Sequence, residues 1–350
     1  MFVGWNSVKS RSTCSRQVRS ADMLQWPTVP TSDLNRLLET ARRPGPEGHR
    51  ALGKLIRLVD DQSPEADEID KAVRSTAFRA ARIGLTGPPG AGKSSIIASA
   101  LSSIAKQDRK AGILAVDPTS PFTGGALLGD RVRLKGPTGE NVFFRSLASR
   151  GSQGGVSRAI RPASRLLDWW GADIILIETV GSGQLGTAVG DVADLVVAVL
   201  TPEAGDGIQS MKAGVMELAD CFVVNKSDRP GADLVMKELN LVKQEAASAG
   251  RSLEVFKTSA VEEEGIREMV DGIRALWETL SKSGEIDRRR KIQVKREISS
   301  RAEEYVRSRV TASLGGEEAY ETALVEWSGK VLAGEATASE AAIEIAGKIG

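Results

Sequence analysis

The residues with the clearest capacity for chemistry have the spacing G-x-x-x-x-G-K-S: Gly87-Pro88-Pro89-Gly90-Ala91-Gly92-Lys93-Ser94. An apolar run precedes them, and a helix-like segment that begins at Ser95 follows. Glycines between a strand and a helix turn backbone N–H groups toward phosphate, and the helix N-terminus adds a partial positive charge. We expect residues 87–95 to bind a nucleoside triphosphate, with Lys93 at the β- and γ-phosphates and Ser94 at Mg²⁺. The alternative is a glycine-rich turn without a ligand.

A second candidate group lies at the end of the apolar run 222–224: Asn225-Lys226-Ser227-Asp228. The Asp228 carboxylate can accept hydrogen bonds from N1–H and the exocyclic amino group of guanine. Adenine offers neither donor, so it would leave the carboxylate unpaired. Ser259 and Ala260 lie in the loop that follows the next apolar run and are expected to flank the base. The tetrapeptide is also good turn composition, but its place after the phosphate motif favours GTP and GDP over ATP.

Three acidic residues are candidates for holding Mg²⁺ and positioning the attacking water: Asp117, Asp130 and Glu178. Asp117 and Glu178 each close an apolar run, and a loop rich in Pro, Gly and Thr connects Asp117 to Asp130. Carboxylate and hydroxyl oxygens suit Mg²⁺. We expect Ser94, Asp117 and Glu178 to ligate the metal, and the Gly181 N–H to reach the γ-phosphate. A helix cap or a turn is the alternative role for each acid.

The glutamine that would orient the attacking water is displaced in this sequence. Small Ras-like GTPases place it directly after the glycine of the switch motif. Ser182 occupies that place here, and Gln184 comes two residues later. We therefore predict slow intrinsic GTP hydrolysis that a partner protein accelerates.

Short apolar runs separated by helical patterns must position these residues. The runs cover residues 83–86, 112–116, 142–144, 174–177, 195–200, 221–224 and 253–256. Runs of this kind predict a mostly parallel sheet covered by helices on both faces, with ligands at the carboxyl ends of its strands. We predict an α/β nucleotide domain over residues 81–283, a helical N-terminal region over 23–80 and a helical C-terminal region over 284–350.

Composition and charge exclude several classes of protein. The formal net charge is +1 with 27% charged residues, which argues against general nucleic-acid binding. No apolar run reaches the roughly 18 residues that span a bilayer. The two cysteines, Cys14 and Cys221, form no metal-binding pattern and suggest a reducing compartment. His49 stands in a polar segment, where we expect a surface role.

The first 22 residues have no acid before Asp22 and are rich in Ser, Lys and Arg. That composition is typical of an organellar transit peptide, which would imply the mitochondrial matrix. The other interpretation is a disordered extension, with Met23 as the true start, in a cytoplasmic protein. We favour the cytoplasmic interpretation because nothing else in the sequence demands import.

Several motifs together resemble the MeaB/ArgK GTPases, the group that includes the human protein of methylmalonic aciduria type A. Beyond residues 87–94 and 225–228, the resemblance covers four segments: DPTSPFTGGALLGD at 117–130, FFRSLASRGSQGG at 143–155, ETVGSGQ at 178–184 and AGDGIQSMKAG at 204–214. It extends over roughly residues 30–350. The segments 117–130 and 178–184 are much more specific than a P-loop alone.

The resemblance implies a P-loop GTPase that serves an adenosylcobalamin-dependent acyl-CoA mutase, by gating cofactor loading and protecting or reactivating the enzyme. It implies a homodimer formed through a C-terminal helical arm. Carried over by position, Lys93, Asp117, Asp130 and Glu178 match the phosphate, Mg²⁺ and catalytic set. Residues 205–212 match a switch loop that senses the partner.

Two departures from the family pattern bear on the partner. Ser152-Gln153-Gly154-Gly155 stands where the family usually has His-Leu-Gly-Gly, and Gly183-Gln184-Leu185-Gly186 where it usually has Gly-Gln-Ser-Glu. The sequence therefore leaves the identity of the client mutase open. The alternative functions are a P-loop kinase of the older transport-kinase type, which the guanine motif disfavours, and a metal-insertion GTPase, which the scarcity of His and Cys disfavours.

Overall fold

A computed structural model describes residues 31–75, 78–105, 108–117, 139–148, 158–179, 187–204 and 213–347 of the chain. Within these residues the strands form one seven-stranded sheet in the order β3-β2-β4-β1-β5-β6-β7, and every pairing is parallel. The strands are β1 (Ala81–Thr86), β2 (Ala111–Asp117), β3 (Val142–Ala148), β4 (Ile174–Glu178), β5 (Leu195–Leu200), β6 (Cys221–Val224) and β7 (Glu254–Lys257). The prediction of a largely parallel sheet is confirmed.

The apolar runs predict the strands closely, except at β3. That strand extends to Ala148, four residues beyond the apolar run, because Arg145 and Ser146 continue the pairing with β2 although both are polar. Strand β7 begins and ends one residue later than the apolar run 253–256. Backbone pairing, which residue type does not reveal, decides where these strands end.

Helices cover both faces of the sheet and continue beyond it. They are α1 (Thr31–Ala41), α2 (Pro46–Asp60), α3 (Ala66–Val73), α4 (Lys93–Ala105), α5 (Ile160–Trp170), α6 (Ala213–Leu218), α7 (Ala232–Ser248), α8 (Ile266–Lys282), α9 (Glu285–Leu314), α10 (Glu317–Leu332) and α11 (Ala338–Ala346). Short 3₁₀ turns occur at Thr187–Asp191 and Pro202–Ala204. Helix α11, which opens with a Thr337–Glu340 capping box, lies within the C-terminal region 284–350 that was predicted to be helical.

The N-terminal helices share a hydrophobic core with one face of the sheet. Leu52, Leu55 and Ile56 of α2 are fully buried with apolar residues of α5 and β4. The half-buried His49 bonds through its ring to the Glu140 carbonyl (3.0 Å) and packs edge-on against Phe143 and Trp170. The expectation of a surface role for His49 is therefore wrong, because its ring joins α2 to β3.

Buried ion pairs hold helix α9 near the amino-terminal ends of strands β1 and β5. The Asp194 side chain, fully buried at the start of β5, accepts bonds from Arg82 of β1 (2.6 Å) and from Arg290 of α9. Gln293 of α9 donates to the carbonyls of Gly190 (2.9 Å) and Ala193 (2.7 Å). Since α9 has few buried apolar residues, we infer that this polar cluster, called here the Asp194 cluster, fixes the helix on the nucleotide domain.

Candidate functional site

The phosphate-binding motif forms the loop between β1 and α4, and its glycines are required by geometry. Gly87, Gly90 and Gly92 have φ of 143°, 74° and 90°, which side-chain-bearing residues rarely adopt. A Cβ at Gly87 would lie 2.2 Å from the Val199 carbonyl oxygen, and a Cβ at Gly92 would lie 2.2 Å from Nδ2 of Asn225. The loop therefore has no room for side chains at its two ends.

The two motif residues that would contact phosphate and metal begin helix α4. Lys93 is buried, and its Nζ donates to the carbonyls of Gly87 (2.9 Å) and Pro88 (3.1 Å). The ammonium is thereby held over the loop, where a phosphate would meet it. Pro89 and Gly90 of the loop and Ser95 of α4 are exposed. The positively polarised helix end and the Lys93 charge lie on the same side of the sheet.

Hydroxyl and carboxylate oxygens meet beside the loop. Ser94 Oγ donates to Glu178 Oε1 at 2.6 Å, at the carboxyl end of β4. Asp117 is fully buried at the end of the neighbouring strand β2, whose Ala115 is in register with Glu178. These are hard oxygen donors of the kind that Mg²⁺ selects, so Ser94, Asp117 and Glu178 fit the ion they were predicted to hold.

The segment 225–228, which was predicted to contact guanine, is bonded directly to the loop after β1. The buried Asn225 side chain donates through Nδ2 to the Ala91 carbonyl (2.9 Å). Its Oδ1 accepts from the Ala260 N–H (3.2 Å). Lys226 takes the left-handed conformation, with φ of 59°. One amide side chain thus joins the loop after β1, the loop after β6 and the loop after β7.

The Asp228 carboxylate is oriented by the loop after β7. Ser259 Oγ donates to Asp228 Oδ1 at 2.7 Å, and this bond lowers the pKa of Asp228. The side chain is therefore ionised at neutral pH, as acceptance of two guanine N–H groups requires. Ser99 of α4 adds a bond to the Ala260 carbonyl (3.0 Å), which holds the same loop against the phosphate-binding helix.

The sequence predictions missed the residue that anchors the backbone after Glu178. Thr179 donates to the Leu85 carbonyl through both its N–H (3.2 Å) and its hydroxyl (3.1 Å). No sequence signal marks a threonine after a strand for this role. Asp130, Gly181, Gln184 and the predicted switch segment 205–212 lie outside the described residues.

A sequence model of the family described as methylmalonyl-CoA mutase-associated GTPase MeaB matches residues 52–314. The chain belongs to the MeaB family. Relatives include a protein named as a GTPase in Pyrococcus abyssi, 41% identical over 76% of this chain and 83% of the relative. A protein named as a GTPase in Mycobacterium tuberculosis strain H37Rv is 36% identical, over 73% and 79% of the two chains. The protein is thus a MeaB-family GTPase that binds guanine nucleotides.

Two further comparisons extend this result. The mitochondrial methylmalonic aciduria type A homolog of Caenorhabditis elegans is 34% identical, over 71% of this chain and 63% of the homolog. Among solved structures, the crystal structure of LAO/AO transport system kinase superposes with a TM-score of 0.64 at 22% identity, over 92% of this chain and 99% of that one. That likeness concerns the fold. Within the described residues, no helix is long and apolar enough to cross a membrane.

Proposed function

We propose that this MeaB-family GTPase is a chaperone of an adenosylcobalamin-dependent acyl-CoA mutase, either methylmalonyl-CoA mutase or a relative. It gates cofactor loading and protects or reactivates the mutase. The observation that carries the proposal is a match to the mutase-associated family over residues 52–314 in a chain whose guanine and phosphate loops are joined through Asn225. An intact nucleotide site is what a nucleotide-controlled chaperone requires.

The proposed catalytic set is Lys93, Asp117, Asp130 and Glu178. Lys93 neutralises the β- and γ-phosphates, and Ser94, Asp117 and Glu178 hold Mg²⁺. When bound, the ion neutralises charge that develops on the transferred phosphoryl group. Asp130 positions the attacking water. The 2.6 Å contact between Ser94 and Glu178 supports the metal assignment.

The proposed base contacts are Asn225, Lys226 and Asp228, with Ser259 and Ala260 at the edge of the base. The hydrogen bond from Ser259 to Asp228 supports this part of the proposal, because it holds one carboxylate oxygen in place. Asp228→Asn replaces one acceptor by a donor and should shift preference from guanosine to xanthosine nucleotides. Equal affinity of the unmodified chain for ATP and GTP, measured by calorimetry, would contradict the assignment.

The hydrolysis rate is expected to depend on the partner. Ser182 stands where a water-orienting glutamine would be, so the isolated chain should turn over slowly and a bound mutase should accelerate it. Lys93→Ala should abolish phosphate release in both conditions. Lys54→Ala, at an exposed position on α2, is the matched control and should leave turnover unchanged. Rapid turnover without a partner would refute this part of the proposal.

Capture of the client is the decisive experiment. The chain is immobilised with GDP or with a non-hydrolysable GTP analogue, and purified cobalamin-dependent mutases are passed over it. The proposal expects nucleotide-dependent retention of one mutase, which then stimulates hydrolysis. If no mutase is retained in either state while GTP hydrolysis persists, the chaperone function fails and the GTPase activity stands.

The C-terminal helices are proposed as a homodimer contact. Apolar side chains exposed on α9, α10 and α11 support it: Ile298, Tyr305, Val325, Leu332 and Ile343. Val325→Asp should halve the mass measured by light scattering. Glu326→Asp, at the neighbouring position, should preserve it. A monomeric mass for the unmodified chain would refute the dimer.

A further inference from the structure

A cavity of about 680 Å³ lies between helices α4 and α8, beneath strands β1, β4 and β5. Its inner wall is apolar and includes Ile83, Leu85, Ile97, Ala100 and Ile273, each of which is buried. Packed protein interiors contain few voids larger than a water molecule. A volume of this size is instead typical of small-molecule pockets.

The cavity is separate from the nucleotide site. Its mouth lies at the amino-terminal edge of the sheet, beside Ala81 of β1 and Ile174 of β4, which are in register with each other. The phosphate loop follows the opposite, carboxyl end of β1. The two sites therefore open at different ends of the same parallel strands.

Arginines surround the mouth: Arg42, Arg79, Arg109 and Arg274. Within the described residues, Arg42, Arg79 and Arg109 form no ion pair. Arg274 Nε lies 3.8 Å from Glu278 Oε1. Arg42 lies over the Trp169 ring, with its guanidinium carbon 4.7 Å from the centroid.

The acidic residues at the mouth are largely engaged with backbone. Asp168 accepts from the N–H groups of Arg79 (3.1 Å) and Ala80 (3.1 Å), and Asp173 accepts from the N–H of Lys110 (2.8 Å). The guanidinium groups are therefore the charged groups at this opening that are best placed to pair with an anionic ligand.

We propose that the cavity binds an amphipathic anion: an apolar chain that fills the inner wall, with a carboxylate or phosphate head held by the arginines at the mouth. The apolar wall excludes a polar body, since burying unpaired polar groups is unfavourable. The guanidinium groups favour carboxylate or phosphate, which they bind in a bidentate manner.

Two elements connect the cavity to the nucleotide site. Leu85 lines the cavity, and its carbonyl accepts both bonds from Thr179, the residue after Glu178. Ile96 and Ile97 line it from α4, the helix that begins at Lys93. If an occupant changes the affinity for GDP, then GDP changes the affinity for that occupant by the same factor.

The test uses the full chain and three probes of equal chain length: oleate, oleyl phosphate and oleyl alcohol. Displacement of a fluorescent fatty acid should show saturable binding of one molecule per chain for at least one of the two anions, and weaker binding of the alcohol. The oleate and oleyl phosphate arms identify the head group. Absence of saturable binding, or equal binding of the alcohol, would overturn the proposal.

Variants locate the site. Arg79→Gln combined with Arg109→Gln should weaken anion binding about tenfold or more, the loss of a charged hydrogen bond, and leave the alcohol unaffected. Arg267→Gln, at an exposed arginine that does not line the cavity, is the control. Ala100→Trp fills the cavity from α4 and should abolish binding of all three probes, whereas Ala275→Trp, exposed on α8, should not. Binding that survives both cavity-directed changes would refute the assignment, whether or not a mutase partner exists.

Discussion

Replacing Asp194 with asparagine is expected to lower the free energy of unfolding by about 3–5 kcal/mol, the usual cost of removing one member of a buried ion pair. The substitution keeps the size and shape of the side chain and removes its charge. The Asp194 carboxylate is fully buried and faces Arg82 and Arg290, whose side chains are 9% and 12% exposed. Two guanidinium groups would remain buried without their counter-charge.

The large expected loss of unfolding free energy reflects the number of hydrogen bonds that Asp194 accepts. Asp194 accepts from the Arg82 N–H (3.0 Å), from Arg82 Nε (3.2 Å) and Nη2 (2.6 Å), and from Arg290 Nε (2.9 Å). Asparagine retains one acceptor oxygen and places an amide N–H₂ against a donor. Other partners limit the loss, because Arg82 also bonds Gln293 and Arg290 also bonds the Ala80 carbonyl. Since domains are stable by only about 5–15 kcal/mol, the change is large.

Urea unfolding followed by circular dichroism measures this effect. The control is Glu203→Gln, which removes an ion pair to Arg229 between two half-exposed side chains and should leave the unfolding midpoint unchanged. A second measurement is proteolysis within α9, which should be faster in Asp194→Asn because the Asp194 cluster fastens that helix. If Asp194→Asn unfolds at the same urea concentration as the control, the cluster does not stabilise the fold.

Three further predictions concern pH and the nucleotide site. Burial would raise the pKa of Asp194, but Arg290 and Arg82 hold it below its ordinary value. The carboxylate therefore contributes its full stabilisation only well above the unfolded-state pKa of about 3.9, and this stabilisation is lost as pH falls through the folded-state pKa. The urea midpoint should therefore fall in acid less steeply for Asp194→Asn than for the unmodified chain. Gly92→Ala should weaken GDP binding about tenfold or more in calorimetry, because its Cβ would meet Asn225; Gly139→Ala, with open space around it, should not. Asn225→Ala should weaken GDP and GTP alike, since it frees the phosphate loop and the base loop together; a loss confined to one nucleotide would contradict this.

Local patterns in the sequence suffice for much of the nucleotide domain. The motif at residues 87–94 is contiguous, so its strand, loop and helix follow from glycine positions and apolar spacing alone. The order of apolar runs similarly predicts a parallel sheet, because buried parallel strands are apolar throughout. Apolar spacing does not predict the end of β3, because the polar residues Arg145 and Ser146 lie within that strand.

Contacts between distant residues depended on the tertiary structure. Asn225 and Ala91 are 134 positions apart, and only the placement of β1 and β5 between β4 and β6 brings their loops together. The role of Asp194 is likewise invisible in the sequence, where it is one acid among many, because its partners come from β1 and α9. The sequence predicted which residues bind a guanine nucleotide. The tertiary structure decided which side chains hold these residues in place, because the supporting contacts join loops and helices that are far apart in the chain.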